Sequence, residues 1–224
     1  MFKNKNDTDS GPKSYIYQRM LKMKLIGKTA LIIILLTASG AHAVTGDEAL
    51  AKFRGRMGGI GKMTGIISWT AHSGQTFIGS FKYMAPDKIY VKFSNPQGKI
   101  IVSNGRRLWV YSPGSNICGV QDLAQGSTSG GIAGMTKDYN AIVTSQGSGG
   151  YTVKLKNNAQ HYTEIVLILD SSFFLKKAVF KGKEDESFSF TITNVSMTAG
   201  VMRSLFDFSV PSNAQVVKNP LNIK

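Results

Sequence analysis

The residues that could carry chemistry are few beyond the first 43 positions. His72 and His161 are the histidines there, and Cys118 is the single cysteine. His72 follows a strand-like stretch beside Ser73-Gly74, and His161 precedes another. Neither stands at metal-ligand spacing from a cysteine, an aspartate or a second histidine, so both read as solvated loop side chains. One cysteine permits no intrachain disulfide. "GSTSG" at 126–130 matches the G-x-S-x-G nucleophile elbow in composition only. Gly61-Lys62 hints at a phosphate loop, but Met63 stands where Ser or Thr is needed and Arg56 where the first glycine is needed. Gly59-x-Gly61 without a glycine at 64 is no dinucleotide fingerprint. Glu184-Asp185-Glu186 reads as a charged hairpin tip, because paired carboxylates hydrolyse sugars only across a cleft. The expectation is a protein that is not an enzyme, with no metal and no cofactor.

What the chain has in quantity is apolar side chain at strand spacing. Ile89, Val91 and Phe93 alternate with Tyr90 and Lys92. Phe188, Phe190 and Ile192 alternate with Ser187, Ser189, Thr191 and Thr193. Strands are expected over 65–72, 75–84, 87–94, 116–123, 139–145, 151–156, 162–169, 173–182 and 187–197, besides the arms of the hairpin discussed next. Helical spacing of Ala49, Leu50, Phe53 and Met57 predicts one helix first, capped by Asp47 and ended by Gly58-Gly59 and Gly61. Consecutive strands with short turns make an antiparallel meander, and about ten of them curl toward a barrel. The tail after Pro211 reads as a short polar ending.

"NPQGKIIVSNGRRLWVYSP", residues 95–113, poses the main question. Asn104-Gly105 is a strong hairpin signal. Ile100, Ile101 and Val102 run together, as do Leu108, Trp109, Val110 and Tyr111. Side chains alternate across a strand, so both faces of this ribbon carry apolar groups. One face can be core under a helix, and the other can line a cavity. Pairing across a two-residue turn would put Ile100 opposite Trp109 and Ile101 opposite Leu108.

The N-terminus and the charge narrow the class. Lys22, Lys24 and Lys28 precede an apolar run from Thr29 to Ala38, and Ala41-His42-Ala43 follows. That order is a secretory signal peptide cleaved near Ala43/Val44, and the run is too short for the ~20 residues of a spanning helix. The expected division is 1–43 as N-terminal extension and signal peptide, and 44–224 as a single domain. The full chain carries a formal +14. Residues 1–43 hold seven Lys/Arg and two Asp/Glu, which leaves +9 on the rest. The basic residues are scattered, so no nucleic-acid partner is expected. A solvated surface and attraction to anionic headgroups both fit the charge.

Two stretches carry a family resemblance. Gly79 to Leu123 runs strand, Pro86, alternating strand, Asn95-Pro96, Asn-Gly hairpin and Leu108-Trp-Val-Tyr-Ser-Pro113. Glu164 to Pro211 adds "EIVLILDSSFFLKKAVFKGKEDESFSFTITNV", then Phe206-Asp-Phe208 and Pro211. In this order they resemble the periplasmic carriers of outer-membrane lipoproteins, the LolA type. The resemblance implies a mainly β fold with α: an incomplete, unclosed antiparallel barrel covered by helices and a lid. It implies a periplasmic monomer whose cavity hides the acyl chains of lipoproteins. The implied partners are acylated lipoproteins, an inner-membrane ABC-type extractor and an outer-membrane receptor. Enterobacterial members carry before the matching proline an arginine that latches the lid, where this chain has Ala85; Ile89 replaces a bulky aromatic.

On this reading the cavity is lined by Trp69, Phe77, Phe81, Ile89, Val91, Phe93, Trp109, Tyr111, Phe188 and Phe190. The Gly/Ser-rich segment from Ala124 to Met135 is the lid, with Ile132 and Met135 as its large apolar groups. Val91→Glu is expected to abolish lipid uptake and leave the fold largely intact. The related outer-membrane receptor is a rival, against which counts the absence of a cysteine just after the apolar run. An exported β-domain that binds a partner or an envelope polymer is another, distinguished by a concave face filled by its own side chains.

Overall fold

The computed structural model describes residues 43–123, 131–184 and 186–219. The expected signal peptide, most of the expected lid (124–130) and Asp185 of the acidic tip lie outside these. From Val44 onward the chain forms one compact unit.

Helix α1 spans Gly46–Gly58. Its N-cap is Thr45, whose Oγ1 accepts the Glu48 N–H at 3.2 Å. Asp47, the expected cap, falls in the first turn with Glu48, where a carboxylate favours the positive end of the helix. Ala49, Leu50 and Phe53 form the buried stripe the spacing predicts. The helix starts close against the sheet: a Cβ on Gly46 would run into the Ala141 carbonyl.

Twelve strands follow: β1 Lys62–Thr70, β2 Thr76–Met84, β3 Lys88–Asn95, β4 Gln97–Asn104, β5 Arg107–Ser112 and β6 Ile117–Asp122. A short helix, α2, occupies Gly131–Gly134. Then come β7 Asn140–Gly147, β8 Gly150–Lys156, β9 Tyr162–Leu169, β10 Leu175–Gly182, β11 Ser187–Ser196 and β12 Gln215–Lys218. They form one sheet in the order β12-β6-β5-β4-β3-β2-β1-β11-β10-β9-β8-β7. The two end strands do not pair with each other, so the barrel is unclosed. The fold class expected from the sequence is the one observed. The strand count rises from about ten because the polar tail pairs parallel with β6, Val216 opposite Cys118. A short strand exposed along its whole length at a sheet edge needs little apolar pattern, so sequence reading passes over it.

The β4–β5 register differs from expectation. Ile100 faces Tyr111, Val102 faces Trp109 and Ser103 faces Leu108. The central turn residues are Gly105, with φ of +88°, and Arg106, instead of Asn104 and Gly105. Positive φ at the first central position alone is the II′ pattern, which glycine meets without steric cost. Asn104 instead uses its side chain: Oδ1 accepts the N–H groups of Arg106 and Arg107, both at 2.9 Å. Sliding the turn by one residue moves each partner by two, so face membership survives.

The two apolar faces of this ribbon are covered differently. Tyr90, Val102, Trp109, Tyr111 and Cys118 lie on the outward face beneath the C-terminal segment. Phe208 packs on Trp109 and Tyr111, with ring centroids 6.2 and 6.0 Å apart. A 3-10 turn at Arg203–Phe206 buries Phe206 against Met84 and Val201 beside it. Cys118 is fully buried there, and burial pushes its thiol up. The other face carries Ile101, Ser103 and Leu108 and turns toward α1.

Further along, the outward face holds one carboxylate among lysines. Glu164 lies 3.2 Å from the Lys181 ammonium, 3.4 Å from Lys154 and 3.9 Å from Lys156. Burial opposes its ionisation, but Lys181 and Lys154 outweigh that and hold the carboxyl below its usual value. A depressed folded-state pKa contributes stability above the unfolded value, lost as pH falls through the folded one. Glu164→Gln is therefore expected to cost up to about 1 kcal/mol at pH 7. The gap between wild type and variant should shrink as pH falls below the usual carboxylate range, which urea unfolding at pH 7 and pH 3 checks.

Candidate functional site

Between α1 and the concave face lies a cavity of about 400 Å3. That is within the ~300–1,000 Å3 range of small-molecule sites. α1 and the turn after it supply Met57 and Ile60; β1 supplies Met63 and Ile67. β2 and β3 add Phe81, Tyr83 and Ile89, and β11 adds Phe190 and Ile192. Ser103, Leu108 and Leu123 close the far side, with Asp87 from the β2–β3 turn and Met135 after α2. Strand alternation explains the composition: every second residue of β1, β2, β3 and β11 faces this side and is apolar. Three methionines in the wall give it adaptable, polarisable surface.

The segment after α2 is tied to α1. Arg54 donates from Nε to Thr136 Oγ1 at 3.1 Å and from its terminal nitrogen to Thr136 O at 2.5 Å. Thr136 in turn donates to Ala133 O at 2.7 Å and is fully buried. This holds Met135 at the rim, 47% exposed. Sequence reading missed Arg54; only the arrival of Thr136 beside it makes it a tether.

The expected cavity residues divide into three groups. Phe81, Ile89 and Phe190 line the cavity. Trp69, Phe77, Val91, Phe93 and Phe188 belong to the cluster on the same side of the sheet but not to the cavity wall. There Trp69 meets Phe77 at 6.2 Å and Phe188 at 6.1 Å, and Phe188 stacks on Phe180 at 4.4 Å. Trp109 and Tyr111 do not point inward as expected. They sit on the opposite face under Phe208, because Val102 pairs with Tyr90 and so shares the outward side of β3. Of the lid pair, Met135 reaches the cavity, and the side chain of Ile132 lies outside the described residues.

Val91 is only 4% exposed and packed in the core. A glutamate there would bury a charge among apolar side chains and damage the fold itself, so Val91→Glu does not separate uptake from stability. Met57, Ile60, Met63, Tyr83 and Leu108 were not expected in the cavity wall from sequence. Ordinary strand and helix alternation marks them apolar, but nothing in it says which apolar side chains remain in contact with empty space.

His72 accepts the Ser187 N–H at Nδ1, 3.4 Å away, and exposed His161 lies 3.4 Å from a Glu186 carboxylate oxygen. Among the described residues no group of three His, Cys, Asp or Glu is placed to hold a metal ion, and no helix is long and apolar enough to cross a membrane.

An unclosed antiparallel barrel with one helix across its concave side and an apolar cavity beneath that helix defines the structural class. The profile of the family described as "Outer membrane lipoprotein carrier protein LolA" matches residues 68–209. The chain belongs to that family. It is similar to the outer-membrane lipoprotein carrier protein of Shewanella halifaxensis, with 27% identity over 146 residues, 63% of this chain and 70% of the relative. It is also similar to that of Actinobacillus pleuropneumoniae serotype 7, with 23% identity over 208 residues, 89% of this chain and 94% of the relative. In three dimensions it resembles an uncharacterized conserved protein of Thermus thermophilus, with a TM-score of 0.53 at 13% identity, covering 77% of this chain and 98% of the other. That likeness concerns the fold alone.

Proposed function

We infer that this protein is a periplasmic lipoprotein carrier: it takes lipoproteins by their acyl chains into the apolar cavity and moves them from the inner to the outer membrane. The observation that carries this reading is the cavity of about 400 Å3 walled by Met, Ile, Leu and Phe in a chain of the carrier family. Its donor would be an inner-membrane ABC-type extractor and its acceptor an outer-membrane receptor. Residues 1–43 would be its export signal and 44–224 the working domain. No bond is made or broken in such a cycle; the work is desolvation and release.

Each methylene moved out of water contributes about 0.8 kcal/mol, so a multi-chain anchor gains tens of kcal/mol gross. Release requires that ordering costs offset most of this. A wall rich in methionine and isoleucine, with the exposed Met135 at its rim, suits a guest that must leave again.

The test is to purify the exported form from its native envelope and identify bound molecules by mass spectrometry. Acylated lipoproteins are expected in near-stoichiometric amount. Recovery of the folded protein without any acylated species, from cells in which lipoprotein sorting is active, would overturn the reading.

A further inference from the structure

The basic residues are scattered along the sequence, but strand register gathers several of them on one surface. On the outward side of β7 to β10, one row runs Asn140, Lys156, Glu164 and Lys181 across four neighbouring strands. The next row runs Ile142, Lys154, Val166 and Val179. Lys177, two residues before Val179 on β10, shares the face. Their strand neighbours Val153, Leu155, Ile165 and Phe180 fill the core on the other side. The Glu164 side chain is 16% exposed, while those of Lys154, Lys156 and Lys181 around it are 35, 60 and 57% exposed. One carboxylate cannot neutralise three ammoniums, so the cluster stays cationic, and Lys177 adds to it. The acids of the β10–β11 tip lie past Gly182, and Glu186 meets His161 at 3.4 Å. Ile142 is 59% exposed beside the lysines. The C-terminal segment packs on Met84, Val102 and Trp109, on the other half of the sheet.

We propose that this face docks the protein on the surface of a bilayer that carries anionic phospholipid. Charge complementarity points to an anionic occupant, and the residue types point to lipid. Lysine is a point charge on a flexible stem, suited to headgroups that offer no fixed geometry. Protein interfaces are enriched in arginine and aromatic side chains and depleted in lysine. No arginine occurs between Arg107 and Arg203, and neither row carries an aromatic side chain. The isoleucine and valines between the lysines can meet the apolar edge of the headgroup layer while the ammoniums stay at the phosphates. A second copy seated on the same face would bring like charges together. Docking through the outward side leaves the concave side and its cavity free.

Co-sedimentation of the purified exported form with vesicles tests this, using phosphatidylcholine alone or mixed with phosphatidylglycerol. Wild type is expected to bind the mixed vesicles at low salt, to leave them at high salt, and not to bind phosphatidylcholine alone. Lys156→Gln combined with Lys181→Gln is expected to weaken binding about tenfold to a hundredfold. Glu164→Gln removes the acid at the centre of the face and is expected to tighten binding severalfold. Arg106→Gln combined with Lys218→Gln removes the same charge beside β5 and on β12, and is expected to bind like wild type. Equal loss in both double variants would make net charge the cause and overturn the proposal. So would equal binding to the two kinds of vesicle, or binding to neither. Tighter binding of poly-glutamate than of the mixed vesicles would assign the face to an acidic protein, and self-association lost in the lysine double variant would assign it to a second copy; either overturns the proposal. A fatty-acyl probe titrated without vesicles reports on the cavity separately, so failure here leaves the carrier reading in place.

Discussion

Leu108→Glu is expected to abolish binding of an acyl-chain probe and to leave the fold in place. Leu108 stands on β5, opposite Ser103 and Gln121, and faces the cavity without being packed into the main core. It is half-buried, so a glutamate can keep its carboxylate near water when the cavity is empty. An acyl chain entering would have to strip that water away. The desolvation of an unpaired carboxylate costs several kcal/mol, enough to lower affinity by roughly a hundredfold or more. Unfolding free energy should change by no more than about 1–2 kcal/mol, the usual range for a partly exposed position. Ile168→Glu is the control. Ile168 is 38% exposed on the outward face of β9, opposite Lys177, and its substitution should leave uptake unchanged. Titration with a fluorescent fatty-acyl probe, paired with urea unfolding of each variant, checks both. Uptake intact in Leu108→Glu, or lost equally in Ile168→Glu, would mean that the cavity is not where the guest goes.

The second large effect is on stability. Phe53 is fully buried at the centre of the α1 stripe and joins the helix to the cluster formed by β8, β9 and β10. Phe53→Ala removes most of a large side chain from a site packed among buried residues of α1 and the main core cluster, which cannot collapse freely. The expected loss is about 3–5 kcal/mol, a large share of the ~5–15 kcal/mol that holds a domain together. Thermal unfolding should fall by roughly 6–20 °C. Met57→Ala, one turn on and in the cavity wall, should cost distinctly less, since its side chain already borders empty space. If calorimetry found the two variants equally destabilised, α1 would not be anchored by Phe53 as described.

These contrasts rest on distinctions of unequal legibility. That Ile89, Val91 and Phe93 share a face follows from alternation and needs no coordinates. That Ile89 borders the cavity while Val91 is packed beneath neighbours depends on how β3 curves under α1. The turn at Gly105 was misplaced by one residue for a related reason. Asn-Gly carries a strong local preference, yet the register is set by what β3 and β6 require on either side, and those strands lie outside the turn's own signal. Trp109 and Tyr111 show the same limit more sharply. Both sides of the hairpin are apolar, so composition could not say which was lining and which was covered. The decision came from Phe208, Val210 and Ala214, roughly a hundred residues further on.

By itself, then, the sequence determined the order and type of the first helix and of β1 to β11, the helix stripe at Ala49, Leu50 and Phe53, the alternation that makes one side of each central strand apolar, and the family. These are local or periodic properties, written in neighbouring residues. Tertiary structure alone decided which apolar side chains border the cavity, that the polar tail becomes a parallel strand at the sheet edge beside β6, and that Arg54 meets Thr136. Each of those depends on where a curved sheet brings together segments far apart in the chain. Curvature and register come from the summed packing of all twelve strands, which no single stretch encodes.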